Sequence, residues 1–105
     1  MDLISEIQKW FQKYCNGKWE HNHGITITSC DNPGWWVKID LRGTTLENKS
    51  FNRIRKGDFS QNIPQPPWID CYVEKGIFNG AGDIMQLSTI LKHFIIWAKT
   101  KNQEQ

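Results

Sequence analysis

Apolar residues recur at helical spacing at Leu3, Ile7, Trp10 and Tyr14, with Ile4 and Phe11 widening the stripe. This predicts an amphipathic helix over about residues 3–15, with Asp2 as N-cap and Asn16-Gly17 as the stop. Gly17 to Gly24 loses the period and carries Trp19, Glu20, His21, Asn22 and His23 in an expected loop. From Gly24 to Cys30 the period falls to two, with Ile25 and Ile27 alternating against Thr26 and Thr28. Asn32-Pro33-Gly34 predicts a turn in which Pro fixes φ at the first central position and Gly accepts a positive φ at the second. Trp35 to Arg42 then alternates cleanly. Trp35, Val37, Ile39 and Leu41 point one way, Trp36, Lys38, Asp40 and Arg42 the other, and the two segments read as a β-hairpin.

Beyond it, Gly43 to Lys49 is a connection and Ser50 to Lys56 a weaker strand. Phe59 to Pro67 contains Pro64, Pro66 and Pro67 and is expected to be a loop, because Pro cannot donate to a ladder. Trp68 to Glu74 alternates again, Ile69, Cys71 and Val73 opposing Trp68, Asp70, Tyr72 and Glu74. Ile77-Phe78 adds a short strand before an expected bend at Gly80-Ala81-Gly82. Asp83 with Gln86 suggests a capping box. Ile84, Leu87, Leu91, Phe94 and Ala98, joined by Ile90, Ile95 and Trp97, predict a final helix to about Lys99, with Thr100 to Gln105 fraying.

These elements predict a single α+β domain over residues 1–105: an antiparallel sheet of about four strands flanked by an N-terminal and a C-terminal helix. Strand order and oligomeric state stay open. Both helices need cover for their apolar stripes, and the simplest arrangement packs both on one sheet face. The other face then displays Trp36, Trp68 and Tyr72 beside Asp40, Asp70 and Glu74, with Lys38 among them. Such aromatics ringed by acids suit a protein partner with a basic, grooved surface. One helix on each face would instead bury the same aromatics.

Composition sharpens the picture at two points. Six Trp in 105 residues is a high count, and several are expected to be partly exposed, since each indole N–H needs a partner. The formal charge of +2 gives no ground by itself for a nucleic-acid or membrane partner. The start, Met1 to Tyr14, mixes Asp2, Glu6, Lys9 and Lys13 into its apolar residues, unlike a signal peptide, and no run reaches transmembrane length. Cys15, Cys30 and Cys71 form no CxxC, and their odd number points to reduced thiols in the cytoplasm.

Candidate chemistry is sparse. His21-x-His23 near Cys30 lacks the further ligands a zinc site needs, so these read as loop histidines and no cofactor is expected. Cys30 and Cys71 fall inside strands, whereas reactive thiols favour helix N-termini and exposed turns. His93 is expected at the solvent edge of the final helix. With no phosphate loop, nucleophile elbow or telling carboxylate pair, the residues point away from an enzyme. Phe51, Arg53 and Arg55 share one strand parity and give an alternative, a small single-strand nucleic-acid-binding module, although edge-strand defence by basic residues is the favoured reading of the patch.

Trp19-Glu20-His21, Gly24-Ile25, Asp31-Asn32-Pro33-Gly34-Trp35, Val37-Lys38-Ile39-Asp40-Leu41 and Gly43-Thr44-x-Leu46 resemble the immunity protein 53 family of bacterial polymorphic toxin systems. Trp68-Ile69, Cys71-x-Val73-Glu74, Gly76-x-Phe78-x-Gly80 and the closing Phe94 and Trp97 follow in the same order. The resemblance implies a protein made beside a toxin domain that protects the producing cell by direct, stoichiometric inhibition. Many immunity proteins are strongly acidic, and this one is not. The candidate partner-binding residues are therefore Trp36, Asp40, Trp68, Asp70, Tyr72 and Glu74, extended by Trp19, Glu20 and His21.

Overall fold

In the computed structural model, which describes residues 1–101, helix α1 spans Leu3–Tyr14. Asp2 caps it as the sequence predicts, its Oδ1 accepting from the Ser5 backbone N–H at 3.2 Å. The chain leaves α1 through Cys15 and Gly17, the latter at φ 91°. A single turn, α2 (Trp19–Asn22), occupies the segment expected to be a loop. Its start is fixed reciprocally. Asn16 Oδ1 accepts from the N–H groups of Lys18 and Trp19, and the Glu20 carboxylate accepts from those of Asn16 and Gly17.

Strands β1 (Ile25–Cys30) and β2 (Gly34–Asp40) pair antiparallel in the expected hairpin, in register from Ile25 with Ile39 to Cys30 with Gly34. The turn differs from the one expected. The Asn32–Pro33 peptide is cis, and Gly34 does not take a positive φ but heads β2, where a Cβ would overlap the Gly82 carbonyl. Strand β3 covers Ile54–Asp58, later than expected because Phe51 leaves the sheet to pack on Phe78 and Trp97. Strand β4 covers Gln65–Glu74 and therefore includes Pro66 and Pro67. Those prolines lie beyond the β4–β5 pairing, which runs from Ile69 to Glu74, so they remove no ladder donor there.

The largest correction is β5, Ile77–Asp83. The expected bend at Gly80-Ala81-Gly82 is the central strand of a five-stranded sheet ordered β1-β2-β5-β4-β3. The glycines serve packing. A Cβ on Gly80 would overlap Ile90 Cγ2, and one on Gly82 would lie 2.7 Å from Gln86 Cβ. Side chains there would hold helix α3 (Leu87–Lys99) off the sheet. Asp83 makes no capping box. It ends β5, and its carboxylate accepts from the backbone N–H of Trp68 at 2.7 Å and of Met85 at 2.9 Å. Ile84 precedes the helix and is exposed.

Both helices lie on one face. Helix α3 packs on β5 and α1 packs on α3, with Trp10 edge-on to Phe94 at 5.1 Å and Glu6 paired with Lys99. The core between them joins Ile7, Val37, Ile39, Leu41, Cys71, Phe78, Ile90 and Phe94. Each such large side chain contributes roughly 1.5–3 kcal/mol by leaving water. Thr100, expected to fray, caps α3: its N–H and Oγ1 both donate to the Ile96 carbonyl. The rest of the expected fraying tail, residues 102–105, lies outside the described residues.

Candidate functional site

Strand parity decides what the helix-free face carries. Val37, Gly80 and Cys71 line up across β2, β5 and β4 on the helix side; Trp36, Ala81 and Asp70, then Lys38, Asn79 and Tyr72, line up on the other. Thr26 and Thr28 on β1 extend this second face beside Lys38 and Trp36.

Of the aromatic sequence candidates, Trp36 is exposed, at 44%, with Lys38 Nζ 5.2 Å from its ring centroid. Glu74 is exposed and Tyr72 half-buried, the Arg53 guanidinium stacking 4.8 Å from its centroid. Trp68 shares the face but is buried at 9%, covered edge-on by Phe59 and approached by Gly57, where a Cβ would lie 2.6 Å from its own. It is no open anchor.

The carboxylates also differ from a simple acidic rim. Asp70 accepts from Arg53 Nε at 2.9 Å and Nη2 at 2.6 Å, and Arg55 lies 3.8 Å away. Asp40 is buried and accepts from Arg42 through the backbone N–H, Nε and Nη2, while His23 Nδ1 lies 2.7 Å from its Oδ2. Burial raises the Asp40 pKa, but the hydrogen bonds from Arg42 and His23 outweigh it and hold the group at about 2. Two of the three acids expected on the open sheet face are thus neutralised within the chain.

The Trp19-Glu20-His21 extension divides in the same way. Trp19 is buried at 8% among Trp10, Phe11, Tyr14 and His23, donating from Nε1 to the Arg42 carbonyl at 2.8 Å. Glu20 is engaged in closing α2, its pKa held down by backbone N–H groups against the upward pull of burial. Only His21 is exposed.

Sequence reasoning missed the concavity of this face. A cleft of about 590 Å³ runs between α2 and the β4–β5 turn, walled by His23, Lys38, Asp40, Glu74, Lys75 and Asn79. A smaller trough of about 270 Å³ follows β1 over Thr26, Thr28 and Trp36. Lys38 borders both. Lys75 was never singled out, and its φ of 53° in the turn before Gly76 is uncommon for a residue with a Cβ.

The basic patch is split. Phe51 packs into the helix side while Arg53 and Arg55 face Asp70 on the other. Burial, with Asp70 nearby, pushes the Cys71 thiol up to about 12, the condition of a packing group and not a nucleophile. Among the described residues, no three His, Cys, Asp or Glu side chains form a metal-holding group, and no helix is long and apolar enough to cross a membrane.

The architecture is that of an α+β protein with two helices stacked on one face of its sheet and a cleft on the other. The chain belongs to the immunity protein 53 family, whose model matches residues 4–99. Comparison with curated proteins and with solved structures found no match.

Proposed function

We propose that the chain, acting as one domain in the cytoplasm, neutralises a bacterial toxin domain by stoichiometric binding and performs no reaction of its own. Membership of an immunity protein family supports a toxin as the partner. The observation that carries the surface is the helix-free sheet face, where the 44%-exposed Trp36 lines a trough of about 270 Å³ that adjoins, across Lys38, a cleft of about 590 Å³ walled in part by Glu74. An aromatic side chain at the lip of a concavity is the arrangement that supplies a desolvated anchor in protein interfaces. Tyr72 and Glu74 extend that surface, and the Asp40 and Asp70 ion pairs hold its floor rigid.

The test is co-purification of this chain with the toxin domain encoded beside it, sized by chromatography and paired with a growth assay. A one-to-one complex with restored growth supports the reading. Restored growth without a complex, or no restoration at all, overturns it. The split between Phe51 and the two arginines leaves the nucleic-acid alternative without a continuous surface.

A further inference from the structure

The two edges of the sheet are built differently. At β3, Arg55 and Lys56 put charge on the edge, and a register shift between Lys56 and Asp58 breaks its line. These are the devices by which a sheet refuses further strands. The opposite edge has none of them. Strand β1, Ile-Thr-Ile-Thr-Ser-Cys, carries no charge and no Pro, and pairs with β2 without a shift.

Its backbone is open in a defined pattern. Asp40 N donates to the Gly24 carbonyl at 3.0 Å, which makes Gly24 and Asp40 a hydrogen-bonded pair. By the alternation of an antiparallel ladder, Thr26, Thr28 and Cys30 also bond to β2, and the N–H and C=O groups of Ile25, Ile27 and Ser29 point outward. Among the described residues none of those outward groups is paired. An apolar side chain lies beside the edge on each face: Ile27, 42% exposed, on the helix side, and Trp36, in a trough with Thr26 and Thr28, on the other.

We propose that the toxin docks by adding one extended segment to β1, a strand with an apolar side chain for the Trp36 trough and an acidic one for Lys38. The inference rests on the reading of the chain as a toxin inhibitor and deepens it. The acidic requirement follows from charge. Lys38 borders the trough and has only the Trp36 ring as a partner among the described residues, while Asp40 and Asp70 are taken by arginines. A second copy of this chain does not fit as well, because its β1 carries no carboxylate to set beside Lys38. Backbone pairing would supply the affinity and alternate side chains the specificity.

Amide hydrogen exchange on the free chain and on its complex with the neighbouring toxin domain tests this directly. The amides of Ile25, Ile27 and Ser29 are expected to exchange fast in the free chain and to slow by at least about ten-fold in the complex, while those of Thr26 and Thr28 are slow in both. Ser29→Pro, which removes an outward N–H and leaves the β2 ladder whole, and Ile27→Lys are each expected to weaken binding at least about ten-fold with little change in melting temperature. Lys38→Glu should weaken it similarly, and Lys56→Glu on the opposite edge should leave it unchanged. A complex with unaltered exchange at Ile25, Ile27 and Ser29 overturns strand addition and leaves the inhibitor reading intact. Failure of the wild-type chain to bind that toxin overturns both. Protection of the same three amides in a concentration-dependent dimer of the chain alone would assign the edge to a second copy instead.

Discussion

Oδ2 of Asp40 receives both Nη2 of Arg42, at 2.7 Å, and Nδ1 of His23, at 2.7 Å, so one carboxylate ties the end of β2 to the segment leaving α2. Its side chain is only 9% exposed, which makes removal of its charge a structural event. The Asp40 pKa is depressed from 3.8 to about 2. A depressed carboxylate contributes stability above its unfolded value and loses it as pH falls through its folded one. Asp40→Asn is therefore expected to cost about 1–2 kcal/mol at pH 7 in urea unfolding. The difference from wild type should close between about pH 4 and pH 2. A gap of constant size across that range would show that packing, not charge, accounts for the loss.

Gly80 and Ile90 make a second pair with a measurable consequence. Because a Cβ at Gly80 overlaps Ile90 Cγ2, Gly80→Ala should destabilise the protein by about 1–3 kcal/mol. Ile90→Ala opens a cavity and should cost about 2–5 kcal/mol alone. In the double variant the new methyl enters that space, and the combined loss should fall short of the sum by at least about 0.5 kcal/mol. Strict additivity in denaturant titrations would mean that α3 shifts along β5 instead of pressing on it.

The same pair shows where sequence reading stopped. Helix α1, the β1–β2 hairpin and the alternation of β4 were legible, because one-sided burial writes a period of 3.6 or 2 directly into the residues. Strand β5 was not. Its middle residues are glycines selected by a helix arriving from elsewhere in the chain, and they carry no alternation to read. Pro66 and Pro67 hid the start of β4 for a related reason, since only the strand order reveals that no neighbour on the β5 side needs their donors there. The site was legible in parity and not in exposure. Trp36, Lys38 and Asp40 do share the helix-free face, but the cover that Phe59 gives Trp68, or the α1 aromatics give Trp19, is a long-range fact. The Arg53–Asp70 pair is another.

The three thiols should separate by accessibility. Cys71 is fully buried with its pKa pushed up to about 12, whereas Cys15 and Cys30 are partly exposed. Alkylation at pH 8 is expected to modify Cys15 and Cys30 in the native protein and to reach Cys71 only in denaturant. Burial, with Glu20 nearby, raises the Cys15 pKa, which should slow that thiol. Mass spectrometry of the labelled peptides gives the order, and native labelling of Cys71 ahead of the other two would contradict the burial of β4.

Trp36 and Trp19 offer the sharpest separation between binding and folding. Trp19 is 8% exposed and satisfied by the Arg42 carbonyl, so Trp19→Ala should cost about 3–5 kcal/mol of stability. Trp36 is 44% exposed, lining the trough beside Thr26 and Thr28 with Lys38 Nζ 5.2 Å from its ring centroid. Its replacement by Ala should change stability by no more than about 0.5 kcal/mol. If Trp36 sits at the centre of the toxin interface, the same substitution should weaken binding by about 2 kcal/mol or more, near thirty-fold in Kd. The two effects are measured independently, by denaturant unfolding of the free chain and by calorimetric titration with the toxin domain. A Trp36→Ala chain that is as stable as wild type and binds as tightly would place the interface away from this trough. A chain that is equally stable and binds weakly would show that the residue is held in the open for its partner and not for the fold.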